Sequence, residues 1–365
     1  MTVHTTLEEA QNLPHGPQRL ALVEEAVRQA DLSGDGEAAY EARKELIYSA
    51  NYAGQSEKML VAFAWCRAYL DEHQAELGAW EQHGLAWYHK WVLIATHHFP
   101  QIPLERIQNL HRDYADRIRA LGAGGGTVPY FELQLALHRG DVNGARTAFN
   151  IWQFARRDHL SDCPACEAQT IADYHEFTGD DAGCAAQVQR MLDRGMSCSH
   201  IPHSTHGMVL PALIRLGRWD EARRHHEQGR DLVAGDPDHV TAQARHLEYL
   251  SLTDLSAAQD WYARHVGWAE RTTELDTRLD FHLAAALLFS GLRAAGRDTL
   301  TLTLPQDLPG HRPDGTYAAH ERFEHHAGAA RTLAQAFDAR NGLPYHAHRL
   351  ERILALADLP RPTPA

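Results

Sequence analysis

Apolar residues in this chain fall mostly at three- and four-residue intervals, as on one face of a helix, and the runs are separated by short polar bends. Between Glu57 and His73, for example, Leu60, Phe63, Ala64 and Tyr69 sit near helical spacing. Four bends repeat one phrase: Gly140-Asp-Val-Asn-Gly-Ala145, Gly179-Asp-Asp-Ala-Gly-Cys184, Gly217-Arg-Trp-Asp-Glu-Ala222 and Thr253-Asp-Leu-Ser-Ala-Ala258. Their starts are 39, 38 and 36 residues apart. A period of that size predicts stacked helical hairpins, because one hairpin cannot bury its apolar stripe alone. The expected fold is all-α, an α-solenoid. The small residue closing each phrase, Ala145, Cys184, Ala222 or Ala258, is expected where two helices come closest, which makes Cys184 a packing residue. Cys66, inside an apolar helix, reads the same way.

The hairpins can be drawn along the whole chain as one helical-repeat domain. Residues 1–35 form an N-terminal helical segment, 36–298 the hairpins, and 299–365 a strap with capping helices. Glu37 to Ala50 pairs with Glu57 to His73 across Gly54. Leu77 to Thr96 is followed, after Pro100 and Pro103, by Leu104 to Leu121. Next come Tyr130 to His138 with Gly144 to Arg156, Glu167 to Phe177 with Ala182 to Asp193, Ser204 to Leu216 with Asp220 to Val233, and His239 to Leu252 with Leu255 to Glu270. Leu275 to Ala295 is the last long apolar helix. Thr299 to Pro305 alternates polar and apolar positions over too short a run to found a sheet, and reads as an extended strap. After the turn His311-Arg-Pro-Asp-Gly315, helices over Tyr317 to Arg340 and Tyr345 to Ala357 would cap the array.

Charge narrows the choice of partner. With 35 basic and 48 acidic side chains the net is -13, which repels phosphate backbones and anionic lipid. Nucleic acid and membrane are therefore not expected partners. Arg215, Arg218, Arg223, Arg224 and Arg230 form a local basic group, read as a solvated helix face. The glycine run Gly122 to Gly126 lacks a leading strand and a following lysine, so it is an inter-repeat loop rather than a phosphate cradle. No run approaches the ~20 apolar residues of a membrane span. The first thirty residues show no charged-then-apolar leader, so a cytoplasmic location is expected.

The bend phrase resembles that of the tetratricopeptide repeat, although its period exceeds the usual one. Further phrases are Ala62-Phe-Ala-Trp-Cys66, Tyr88-His-Lys-Trp91, Arg157-Asp-His-Leu-Ser-Asp-Cys-Pro-Ala-Cys166, His311-Arg-Pro-Asp-Gly315 and Phe337-Asp-Ala-Arg-Asn-Gly342. Together they resemble a family of bacterial tetratricopeptide-like proteins with a Ser-Asp-Cys-x-x-Cys motif. The resemblance implies a cytoplasmic helical-repeat protein and no particular activity.

One candidate site stands out. Cys163 and Cys166 precede the first helix of one hairpin, and Cys198 and His203 precede the first helix of the next. Although 31 residues separate Cys166 from Cys198, successive first helices lie about 10 Å apart, so the repeat supplies ligand spacing. Three thiolates and an imidazole form a set suited to one structural Zn2+. His200 and His206 compete with His203 for the fourth place, and His206 is expected to have entered the helix. A reversible disulfide between Cys163 and Cys166 is the other reading of that pair. Asp162 is expected to cap the following helix or orient a ligand, and Glu167 to occupy its first turn; either would be the acid or base if the site were catalytic. His320, Glu324 and His325 share a helix face and read as surface residues. Hydrolase and dinucleotide motifs are missing from the sequence. The expected function is a scaffold binding a protein or peptide segment in a concave groove, with Trp87, Trp91, Tyr130 and Trp152 as candidate lining or as ordinary packing. The rival is a zinc-dependent hydrolase or redox-responsive regulator using the same cluster.

Overall fold

Three of the four repeated bends reverse the chain by the same device; the fourth, at Thr253, has no glycine and passes through extended Asp254, which caps the next helix. Gly140, Gly179 and Gly217 take left-handed φ values of 76°, 79° and 68°. The next residue's N–H reaches back to a carbonyl in the preceding helix: Asp141 to Ala136 at 2.9 Å, Asp180 to His175 at 2.8 Å and Arg218 to Leu213 at 2.9 Å. These bonds satisfy the carbonyls that a helix end leaves without partners. The carboxylates of Asp141 and Asp180 then accept the N–H of Gly144 and Gly183, both at 2.9 Å, and cap the helix that follows. A side chain at Gly144 or Gly183 would collide with that carboxylate. Where Arg218 replaces the aspartate, Glu221 stands in the glycine's place and pairs with Arg218 instead. Ala145, Cys184, Ala222 and Ala258 are all fully buried, and so is Cys66.

The computed structural model describes residues 2–73 and 77–359. Met1 and residues 74–76 and 360–365, including the end of the expected capping segment, lie outside the described residues. The chain is helical almost throughout. Its helices are α1 Val3–Gln11, α2 Pro17–Ser33, α3 Gly36–Asn51, α4 Ser56–Glu72, α5 Ala79–His97, α6 Leu104–Ala120, α7 Thr127–Arg139, α8 Val142–Trp152, α9 Pro164–Phe177, α10 Asp181–Asp193, α11 His203–Met208, α12 Leu210–Arg215, α13 Trp219–Val233, α14 Val240–Thr253, α15 Leu255–Arg271, α16 Leu275–Ala294, α17 Ala319–Asn341 and α18 Arg349–Leu354. Two compact units form, Met1–Leu135 with Ile151–Ser161, and Ala136–Asn150 with Asp162–Ala365.

In the first unit, α1 to α6 pack in series, each on its neighbour, around Tyr40, Ile47, Phe63 and Cys66. Tyr130 and Trp152 are buried with their rings 5.2 Å apart, and Trp91 packs among Tyr48, Tyr52 and Tyr88. These aromatics serve packing. Lys90 is buried, with its ammonium over the Trp87 ring and donating to the Leu160 carbonyl at 2.9 Å. The glycine loop carries its own anion: Asp158 accepts the N–H of Gly124 and Thr127 and the Thr127 hydroxyl. Burial alone would raise the Asp158 pKa, but bonds from Thr127, Gly124 and Leu160 hold it below the ordinary carboxylate value.

In the second unit the first helices of successive hairpins pack on one another, α12 on α14, α14 on α16 and α16 on α18, while α13, α15 and α17 pack beside them. Phe281, Phe289, Tyr262 and Phe337 fill the core. Three expectations need correction. The helix expected over Ser204 to Leu216 is broken at Val209, because Pro211 lacks an N–H to continue the helical bonding. The expected strap pairs: Thr299–Thr301 (β1) lies antiparallel to Thr316–Ala318 (β2), with Leu300 opposite Tyr317, both buried, and threonines facing out. The second capping helix is shorter than Tyr345 to Ala357, with α18 passing into the tight turn Ala355–Asp358.

Two expected outcomes follow from this packing. At Gly179 and Gly217 an added Cβ would meet nothing within 4 Å, so alanine there costs only the left-handed backbone, about 1 to 2 kcal/mol. At Gly140 it would also strike the Tyr345 ring, so Gly140→Ala loses more stability than either in urea unfolding.

Burial also holds His226 and His346 neutral, with pKa values lowered to about 4, and His89 to about 3. Their folded values lie below the unfolded 6.5. The stability they contribute is full above pH 6.5 and lost as pH falls towards 4, at up to about 1.4 kcal/mol per pH unit for each group. Melting temperature should drop steadily across that window. His89→Phe, which removes a buried Nε2 lacking a hydrogen-bond partner, should make the drop shallower.

Candidate metal centre

The first wall of the site is the start of α9. Cys163 is its N-cap, with the Cys166 N–H donating to Cys163 Sγ at 3.3 Å, and Pro164 at the first helical position suits the helix start. Asp162 thus is not the cap as expected; the thiol holds that place. Glu167 lies in the first turn, as expected. The second wall is the loop between α10 and α11. Gly195, at φ 60°, ends the first of these helices, and the Cys198 N–H donates to the Ile201 carbonyl at 3.0 Å, folding the loop back on itself. Gln169 ties α9 to α11, donating to the Ser204 hydroxyl at 3.1 Å and accepting from Thr205 at 2.6 Å.

These anchors bring the three sulfurs together. Cys163 Sγ lies 3.3 Å from Cys166 Sγ, which lies 3.6 Å from Cys198 Sγ, and all three are half-buried. A disulfide would need ~2.05 Å. Two sulfurs on one ion at ~2.3 Å and a tetrahedral angle stand roughly 3.8 Å apart, so the spacing fits a shared ion. Ala165, Ala168, Met191 and Ile201 form the apolar floor beneath. Burial and the two neighbouring sulfurs push the Cys166 thiol far above its ordinary pKa. A dication reverses that preference, since bound thiols give up their protons. The three cysteines can therefore hold a metal ion.

The histidines have other neighbours. His203 opens α11 with its ring stacked on His239, centroids 5.4 Å apart and planes within 13°. His200 meets His239 edge-on at 5.9 Å. His206 has entered α11 and is buried, with Nδ1 3.1 Å from His225 Nδ1. Among the described residues, the group with mutually close ligand atoms at this site comprises the three sulfurs.

Four of the five arginines of the basic group read from the sequence have carboxylate partners: Arg218 pairs with Glu221, Arg223 with Asp220 and Arg230 with Asp231. Arg215 instead reaches Asp181 and Glu176. It lines a cavity of about 510 Å³ that sequence reasoning missed, walled by Phe177, Pro211, Leu283, Arg245 and Arg349. Its residues come from α9, α12, α14, α16 and α18, so only the tertiary fold assembles it. Among the described residues, no helix is long and apolar enough to cross a membrane.

Metal-free protein loaded with Co2+ should show sulfur-to-cobalt charge-transfer absorption. Cys198→Ser should abolish that band and lower bound metal by about one equivalent per chain, with a lower melting temperature in the loaded state. No family model and no curated protein matches this chain.

Proposed function

We propose that this chain is a helical-repeat scaffold, a tetratricopeptide-like α-solenoid that binds a protein or peptide segment and carries one structural Zn2+. The cavity of the second unit carries this reading. Its volume falls within the range of specific ligand sites and suits two or three side chains of a bound segment. The polar groups on its walls are held before any ligand arrives: Arg215 by Asp181 and Glu176, Arg245 by Glu248, and Arg349 by Asp280. Such groups lose little freedom on binding, and the apolar wall supplies affinity.

Cys163, Cys166 and Cys198 would hold the zinc, with His203 as fourth ligand because it follows Cys198 by a chelating interval. A structural role is favoured by position. Cys166 and Glu176 lie ten residues apart on α9, about 15 Å along the helix, so the sulfur cluster and the cavity occupy opposite ends. A cytoplasmic location agrees with unpaired thiols.

Selection of a displayed peptide library on the full chain tests the reading. Binders should lose at least about tenfold in affinity to Ala355→Trp, an exposed position at the cavity wall, and none to Glu167→Gln. Binders indifferent to Ala355→Trp would remove the cavity from the argument. A folded, metal-loaded Glu167→Gln protein without cellular function would favour chemistry at the cysteine site instead.

A further inference from the structure

Three helices of the second unit bring a different donor set together. Glu270 lies near the end of α15, His282 on α16, and His325 and His326 in the first half of α17. Ligand atoms of Glu270, His325 and His326 all lie within 4.8 Å of one another. Glu270 Oε1 stands 3.5 Å from His325 Nε2, and His282 Nδ1 stands 2.9 Å from His326 Nδ1. The three imidazole rings are mutually close, with centroids 4.8, 5.1 and 6.0 Å apart. Two donors on one ion at ~2.1 Å are roughly 3 to 4 Å apart, so this arrangement needs little movement to close around a cation.

We propose that Glu270, His325 and His326, with His282 as fourth donor, form a binding site for a divalent transition ion of the zinc, cobalt or nickel type, separate from the cysteine cluster. Imidazole and carboxylate are borderline ligands, which selects this class over calcium or magnesium on one side and over thiolate-seeking ions on the other.

The protonation states suit ligation. Burial lowers His282 to about 4 and His326 further, leaving both neutral near pH 7 with lone pairs available. Burial would raise Glu270, but the His325 hydrogen bond and the nearby imidazoles hold it below the ordinary carboxylate range, so it is an anion. Tyr262 fixes the ring of His326, its hydroxyl 2.9 Å from Nε2, and Arg322 donates to that hydroxyl while lying 3.1 Å from the same nitrogen. Because arginine only donates, His326 Nε2 accepts in the ion-free protein, and Nδ1 carries the proton shared with His282. On ion binding Nδ1 faces the ion and that proton shifts to Nε2, where the Tyr262 oxygen accepts it and the Arg322 guanidinium swings off the nitrogen while still donating to that oxygen. Arg278, bonded to the Glu270 carbonyl at 2.8 Å, and Arg322 add positive charge nearby, so the ion binds more weakly here than at three thiolates. His325 is 38% exposed and gives the ion a route from solvent.

The test is titration of metal-free full-length protein with Co2+, followed by absorption and by metal analysis after desalting. The expected result includes one equivalent whose spectrum shows d–d bands without sulfur charge transfer. His325→Asn and Glu270→Gln should each weaken that equivalent at least tenfold, leaving any thiolate band unchanged and the helical circular dichroism intact. His320→Asn, on the exposed face of the same helix, should leave it unaffected. Wild-type cobalt binding in both variants would overturn the proposal, as would an equal loss in His320→Asn, which would mark surface chelation. His325 is exposed and Glu270→Gln is isosteric, so neither change should empty the core.

Discussion

The closest approach of paired helices at their shared bend is the constraint on which the second unit depends. At Gly140 and Gly179 a left-handed glycine ends one helix and an aspartate caps the next, and at all four bends a fully buried small side chain sits one turn in. At Cys184 a leucine-sized group would have to displace packed atoms, and interiors at crystal-like density absorb this poorly. The bend between α9 and α10, built on Gly179 and Asp180, turns the chain back towards the start of α9. That return sets Cys198 Sγ 3.6 Å from Cys166 Sγ across a whole intervening hairpin.

The hairpins were legible because helical periodicity and bend chemistry are local. Gly179 and Asp180 announce a helix end and a helix start without reference to anything distant. The convergence of Cys163, Cys166 and Cys198 was legible for a related reason: the repeat period converts a sequence interval into a distance. A donor beside the three sulfurs has no such signature. His200, His203 and His206 all lie within eight residues of Cys198, and their rings pack on His239, just before α14, and His225 of α13, both distant in sequence. Strand pairing was missed because three-residue strands carry almost no period; Leu300 and Tyr317 are matched by the β1–β2 register, not by a pattern visible in either alone.

The cavity and the imidazole cluster escaped notice for the opposite reason to the cysteines. Arg215 looks like part of a solvated basic face until α9 and α10 place Glu176 and Asp181 beside it. His325 looks like a surface residue paired with His320 or Glu324 until α15 supplies Glu270 and α16 supplies His282. Neither set shows as one spacing along the chain, because its residues are spread over several helices: α15, α16 and α17 for the imidazole cluster, and α9, α12, α14, α16 and α18 for the cavity. The abundance of histidine hides the cluster further, since buried imidazoles such as His89 and His226 serve packing as neutral, flat groups.

The arrangement of α9 bears on whether metal and cavity are coupled. Its first two turns are held by the cysteine loop and by Gln169 bonds to Ser204 and Thr205. Its last turn is held by Arg215, which joins Glu176 to Asp181, and by packing of Phe177 against Tyr345 at 5.6 Å. These two sets of interactions share no residue. Loss of an ion from the sulfurs would leave the arginine and carboxylate network at the other end intact, because helical hydrogen bonds in the intervening turns are satisfied within α9 itself. The sulfur cluster therefore acts on the junction of two hairpins, and the shape of the cavity is set by the charged network at its own walls.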